Sequence, residues 1–169
     1  MRTEVQRAID RFLANDLPRD QAFYQQRREA IERLTRVFTM QTSMRVRWAP
    51  PHDLFNFYHL QYVFDAKKAI VLHLLLSTVD DLAYGYWQRG AELFEAHAAG
   101  HAQRDHDLNP REQLVWQLVY QALQKAGWQW LTPAEANTVV PNAAPPWPAA
   151  TGPTRVRDLI FPGCSALLD

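Results

Sequence analysis

Three histidines, His97, His101 and His106, stand close together in the chain, with Glu92, Glu95, Asp105 and Asp107 around them. On a helix, positions 97 and 101 fall one turn apart on one face, the spacing that lets two imidazoles share a metal ion. His106 could then reach the ion from the following loop, and a neighbouring carboxylate could complete its shell. Such a set would suit a small metal-dependent hydrolase holding zinc or iron. Two features weigh against it. Gly100 interrupts the helix that the spacing needs, and the His-Glu-x-x-His order that supplies a general base to a zinc hydrolase is absent.

A second group of chemistry-bearing residues is cationic. Arg45 and Arg47 alternate with apolar neighbours, and Arg27, Arg28, Arg33 and Arg36 precede them. Arginines beside aromatic rings can hold a single-stranded nucleic acid by phosphate contact and base stacking. Here the aromatic residues fall at the apolar positions of the same elements, where core packing explains them. The formal net charge of the chain is zero, which argues against a polyphosphate partner. The charge is unevenly spread, with ten arginines against six acidic residues in positions 1–48 and an acidic excess after them. A basic front and an acidic remainder favour head-to-tail contact between chains or docking within one.

Other chemistry is thin. Cys164 is the single cysteine, so no internal disulfide can form. No Gly-x-Ser-x-Gly elbow occurs, and six scattered glycines make no phosphate-cradling loop. His73 sits in an apolar run, as expected of a core histidine hydrogen-bonded to a neighbour, while His52 and His59 have no evident partner. Asp80 and Asp81 are adjacent, which on a helix would point them about 100° apart, so capping explains them better than a shared carboxylate site.

The C-terminal region is the most unusual in composition. Pro141, Pro145, Pro146, Pro148 and Pro153 forbid a helix or a central strand and favour extended chain. Trp147 stands among them, followed by the apolar Val156, Leu159, Ile160 and Phe161. A tryptophan on a stiff arm is a good docking device, because the prolines reduce the ordering entropy lost on binding. The leading functional expectation is therefore a non-enzymatic interaction or assembly subunit. Pro146, Trp147, Val156, Leu159, Ile160 and Phe161 would bind a second copy of the chain or another protein, without a cofactor, nucleic acid or membrane.

These residues need elements to position them. Thr3 and Gln6 make a capping-box pattern before a helix over 4–14, and apolar spacing predicts a second helix over 20–38. Met40 to Trp48 alternates with period two, predicting a strand, and residues 52–64 read as either strand or helix. The run 66–76, apolar nearly all round, reads as a buried helix, and a further helix continues to about 98. Asn109-Pro110-Arg111-Glu112 opens a helix that ends at Gly127, and Thr132-Pro133-Ala134-Glu135 opens a short one. The expected fold is mainly α (α+β): four to five helices, a small β-element near 40–48, a globular unit over 1–138 and an extended arm over 139–169. No run approaches the roughly 20 apolar residues of a membrane helix, and no apolar leader opens the chain, so a soluble, cytoplasmic protein is expected.

Overall fold

The computed structural model describes residues 1–16, 21–42, 45–49, 57–65, 70–88, 108–144 and 153–162. Two helices, α1 (Thr3–Leu13) and α2 (Gln21–Thr42), precede four strands, β1 (Arg45–Ala49), β2 (Phe57–Asp65), β3 (Ile70–Ser77) and β4 (Leu82–Gln88). Helix α3 (Pro110–Lys125), the two-residue β5 (Gln129–Trp130), α4 (Pro133–Ala136) and α5 (Val156–Ile160) follow. The sheet order is β1-β2-β3-β4-β5, with the first four strands an antiparallel meander and β5 parallel to β4. This corrects the mainly α expectation: the sheet is the central layer of an α+β fold, not a small element at 40–48.

The correction has one physical source. All eight residues of β3 are buried, because the sheet is covered on both faces and the strand needs no wet side. One face carries Leu60 and Tyr62 of β2, Leu72, Leu74 and Leu76 of β3, and Ala83 and Trp87 of β4, packed with Ile31 and Phe38 of α2 and Val119 and Leu123 of α3. The other carries Phe57, Leu75, Leu82, Tyr84 and Tyr86, packed with Val5, Ala8 and Ile9 of α1 and Leu159 and Ile160 of α5. A strand buried on both sides reads as a continuous apolar run, indistinguishable by periodicity from a buried helix. Residues 70–76 of the helix expected over 66–76 are therefore β3, and 82–88 of the one continuing to 98 are β4; 66–69 and 89–98 lie outside the described residues. Gly85 in β4 marks a close approach: a Cβ there would stand 2.7 Å from Trp130 Cη2 and 2.9 Å from Leu74 Cδ2.

The strand expected over Met40–Trp48 is shorter at its start, since α2 runs on to Thr42 before β1 begins at Arg45. Residues 57–65 resolve to strand. At the N-terminus the capping box does not form. Arg2 is the N-cap, no side chain caps α1, and the Arg2 guanidinium instead reaches Glu135 at 2.6 and 2.8 Å and the Trp130 carbonyl at 2.6 Å. The other two start signals act as read. Asn109 and Glu112 cap α3 reciprocally, and Thr132 and Glu135 do the same for α4. Gly127 takes φ +85°, the left-handed region that only glycine adopts readily.

The described part of the C-terminal region lies against this body. Val140 N–H donates to the Thr154 carbonyl at 2.9 Å, Val156 N–H to the Thr138 carbonyl at 3.0 Å, and Thr154 Oγ1 to the Ala143 carbonyl at 2.8 Å. Val156, Leu159, Ile160 and Phe161 are 0–3 % exposed and share a cluster with α1. No described helix is long and apolar enough to cross a membrane.

Candidate functional site

Two polar groupings stand out, one at the rim of the fold and one on the sheet. The rim grouping is built around the β3–β4 turn. Ser77 Oγ accepts from the backbone N–H groups of Val79 and Asp80 at 3.2 and 3.1 Å, which folds the turn back on the end of β3. That presents Asp80 and Asp81 side by side, each toward a different helix. Arg11 of α1 donates to Asp80 Oδ1 at 3.0 Å and to the Val79 carbonyl at 3.3 Å. Arg27 of α2 pairs with the Asp81 carboxylate and lies 4.9 Å from the centroid of Trp128.

Between these parts lies a cleft of about 340 Å³, lined by Glu4, Arg7, Arg11, Arg27, Val79, Asp80, Asp81, Leu82 and Gln129. Its charged lining balances, three arginines against three carboxylates. The inner pairs differ from the outer one. Asp80 is mostly covered, and burial raises its carboxyl above the usual range despite the opposing Arg11 guanidinium. Its Oδ2 is buried and has no hydrogen-bond partner among the described residues. Arg7 is 68 % exposed, Glu4 is 41 % exposed, and they approach only to 3.7 Å, a loose pair one helical turn apart.

The second grouping crosses three strands on the face shared with α1 and α5. His59 Nε2 lies 2.9 Å from His73 Nδ1, and His73 Nε2 lies 2.6 Å from Gln88 Oε1. The Gln88 carbonyl can only accept, so His73 carries its proton on Nε2 and offers the Nδ1 lone pair to His59 Nε2–H. The chain of donors thus runs His59 to His73 to Gln88, with Tyr86 stacked on His73 at 4.7 Å and an interplanar angle of 6°. The His59 and His73 ring centroids are 5.1 Å apart, close to their nitrogen separation of 2.9 Å plus two ring radii, so the rings meet nearly end to end. That is the geometry of a hydrogen bond. Two imidazoles sharing one ion must instead converge on a point between them with their nitrogens further apart, each about 2.0–2.1 Å from the metal. Burial lowers His59 to about 4 and His73 to about 3. Both are neutral at pH 7.

The residues singled out from sequence fall elsewhere. His97, His101 and His106, together with Pro146 and Trp147, lie outside the described residues. Among the described residues no group of three or more His, Cys, Asp or Glu is placed to hold a metal. Arg45 and Arg47 occupy β1 at register positions opposite Val63 and Gln61; their side chains lie outside the described set. Val156, Leu159, Ile160 and Phe161, read as a partner-binding surface, are interior residues of this chain. The helix expected at Asp80 and Asp81 is instead a turn, and that change brings both carboxylates to one cleft. Reading β2, β3 and β4 as strands would have put His59, His73 and Gln88 on one face, since alternate residues share a side.

No family model matches the chain, and no curated protein or solved structure was found to match it.

Proposed function

We propose that this chain is a non-enzymatic protein-interaction module whose docking surface is the cleft between α1, α2 and the β3–β4 turn. The observation that carries this reading is the lining of the cleft: three arginines and three carboxylates, paired with one another across α1, α2 and the β3–β4 turn, a charged surface of the kind that recognises a polar partner. The histidine chain supports the same reading. A general base works best with a pKa near the operating pH, and groups lowered to about 4 and about 3 are weak proton acceptors at neutrality. Val156, Leu159, Ile160 and Phe161 are buried within this chain, which favours the cleft over that part of the C-terminal region in this reading.

The test is a parallel capture experiment. Wild-type chain, Arg7→Glu and Asp81→Ala are immobilised and exposed to a lysate of cells that naturally make the protein, at low and at high salt. A protein retained by the wild type, reduced by both variants and released by salt supports the cleft as the docking surface. Retention unaffected by either variant places docking elsewhere, and turnover of a substrate by the purified chain overturns the non-enzymatic reading.

A further inference from the structure

We infer that the partner taken by the cleft is a second copy of this chain, docked about a two-fold axis with the two α1 helices antiparallel. The inference rests on the cleft region being a docking surface and adds the identity of the partner that meets it along its α1 edge.

The argument is one of complementarity. A two-fold interface brings one patch against itself, so a patch of a single charge sign repels its own copy. This cleft carries equal numbers of arginines and carboxylates, so the patch meets its own copy with no excess of either sign. The chain has zero formal net charge, so two copies approach without long-range repulsion. The inner pairs, Arg11 with Asp80 and Arg27 with Asp81, are committed to holding α1 and α2 against the turn. Arg7 and Glu4 are the loosest of the three pairs, 3.7 Å apart and both solvent-exposed, whereas Asp81, though 55 % exposed, is held by Arg27.

Position matters as much as charge. Residues 4 and 7 lie one turn apart on the outward side of α1, while Val5, Ala8 and Ile9 face the core. When two such helices run antiparallel about an axis passing between positions 4 and 7, Arg7 of each copy faces Glu4 of the other. Each contact then occurs twice, so one substitution alters the interface at two places. An interface of this kind is polar and salt-sensitive, and it belongs with weak, reversible dimers.

The test is sedimentation velocity on the full chain at several concentrations, in low and high salt, with Arg7→Glu, Glu4→Arg and the double exchange carrying both. Circular dichroism controls for folding. The expected result is a wild-type dimer that weakens at least about tenfold in each single variant, because like charges then oppose at both symmetric contacts. The double exchange restores association, since positions 4 and 7 again carry opposite charges. That recovery also separates a lost contact from a lost fold. A wild-type monomer at every concentration overturns the second copy as partner, while the capture experiment still reports whether an unlike protein uses the cleft. A dimer indifferent to all three variants overturns the two-fold α1 pairing.

Discussion

The cleft and the histidine chain are both polar, and they meet the cost of leaving water in opposite ways. In the cleft the groups keep their charges and stay near the rim, where solvent lowers both the cost of ionisation and the strength of each pair. On the sheet the groups are covered and give up their charge: His73 is 3 % exposed, and both imidazoles are neutral and joined nitrogen to nitrogen. The cleft therefore has charge to offer another molecule, whereas the donors and acceptors described for His73 are already committed within the fold. Ionised groups serve architecture here too, since Arg11–Asp80 and Arg27–Asp81 hold α1 and α2 against the turn, and only the Arg7–Glu4 pair is loosely held.

The largest effect that would break this contrast comes from His73. Replacing it with alanine empties a buried site and strips Gln88 Oε1 and His59 Nε2 of the partner that both now use. The combined loss is about 3 kcal/mol, from a truncated core side chain and two deserted hydrogen-bonding groups. Urea unfolding of wild type and His73→Ala measures it, and a change below about 1 kcal/mol would mean that the chain carries little of the fold's stability.

Acidification tests the same region more gently. In the unfolded chain both histidines titrate near 6.5, while in the fold they titrate at about 4 and about 3. Between those values the unfolded state binds more protons than the folded one, so stability falls as pH drops from about 6.5 toward 4. The slope is at most about 1.4 kcal/mol per pH unit for each histidine. His59→Gln should flatten the profile by roughly one histidine's share. A profile that stays level from pH 7 to 5 in the wild type would show that the imidazoles are solvated. Glu135, held down to about 2 by the Arg2 guanidinium, loses its contribution lower, as pH falls through the range between its unfolded and folded values, which separates the two effects.

What could be read from the sequence follows the same division between local and distant causes. Asn109 with Glu112 and Thr132 with Glu135 announce their helices because the cap and its partner lie three residues apart. Thr3 and Gln6 show the same spacing and form no box: the helix begins at Thr3 with Arg2 as its N-cap, and the Arg2 side chain binds Glu135 and Trp130, more than a hundred residues away. The run Ile70–Ser77 carries no sign of which period it follows, since α1 and α5 cover one face of the sheet and α2 and α3 the other. Once that strand is missed, His59, His73 and Gln88 cannot be aligned, and Asp80 and Asp81 read as helix caps. The cleft is less legible still. Arg11 and Asp80 are 69 residues apart in sequence, and no local pattern ties them.

The smallest expected effect lies in the cleft and distinguishes its two members. Arg11→Ala and Asp80→Asn remove the same ion pair, yet they leave different groups behind. Without Arg11, the Asp80 carboxylate remains partly buried with its opposing charge gone and with Oδ2 already lacking a hydrogen bond. That should cost about 1 kcal/mol. Without the Asp80 charge, Arg11 can still donate to the Val79 carbonyl and turn toward solvent, and a carboxylate that burial already disfavours is no longer ionised in the fold. Asp80→Asn should therefore change stability by no more than about 0.5 kcal/mol. Chemical denaturation of both variants at pH 7 measures the difference. Equal losses would mean that the pair is solvated and that the contrast between rim and sheet is one of exposure alone. A larger loss for Asp80→Asn would place Asp80 among the groups that hold the turn, and would make the cleft more like the histidine chain than its charges suggest.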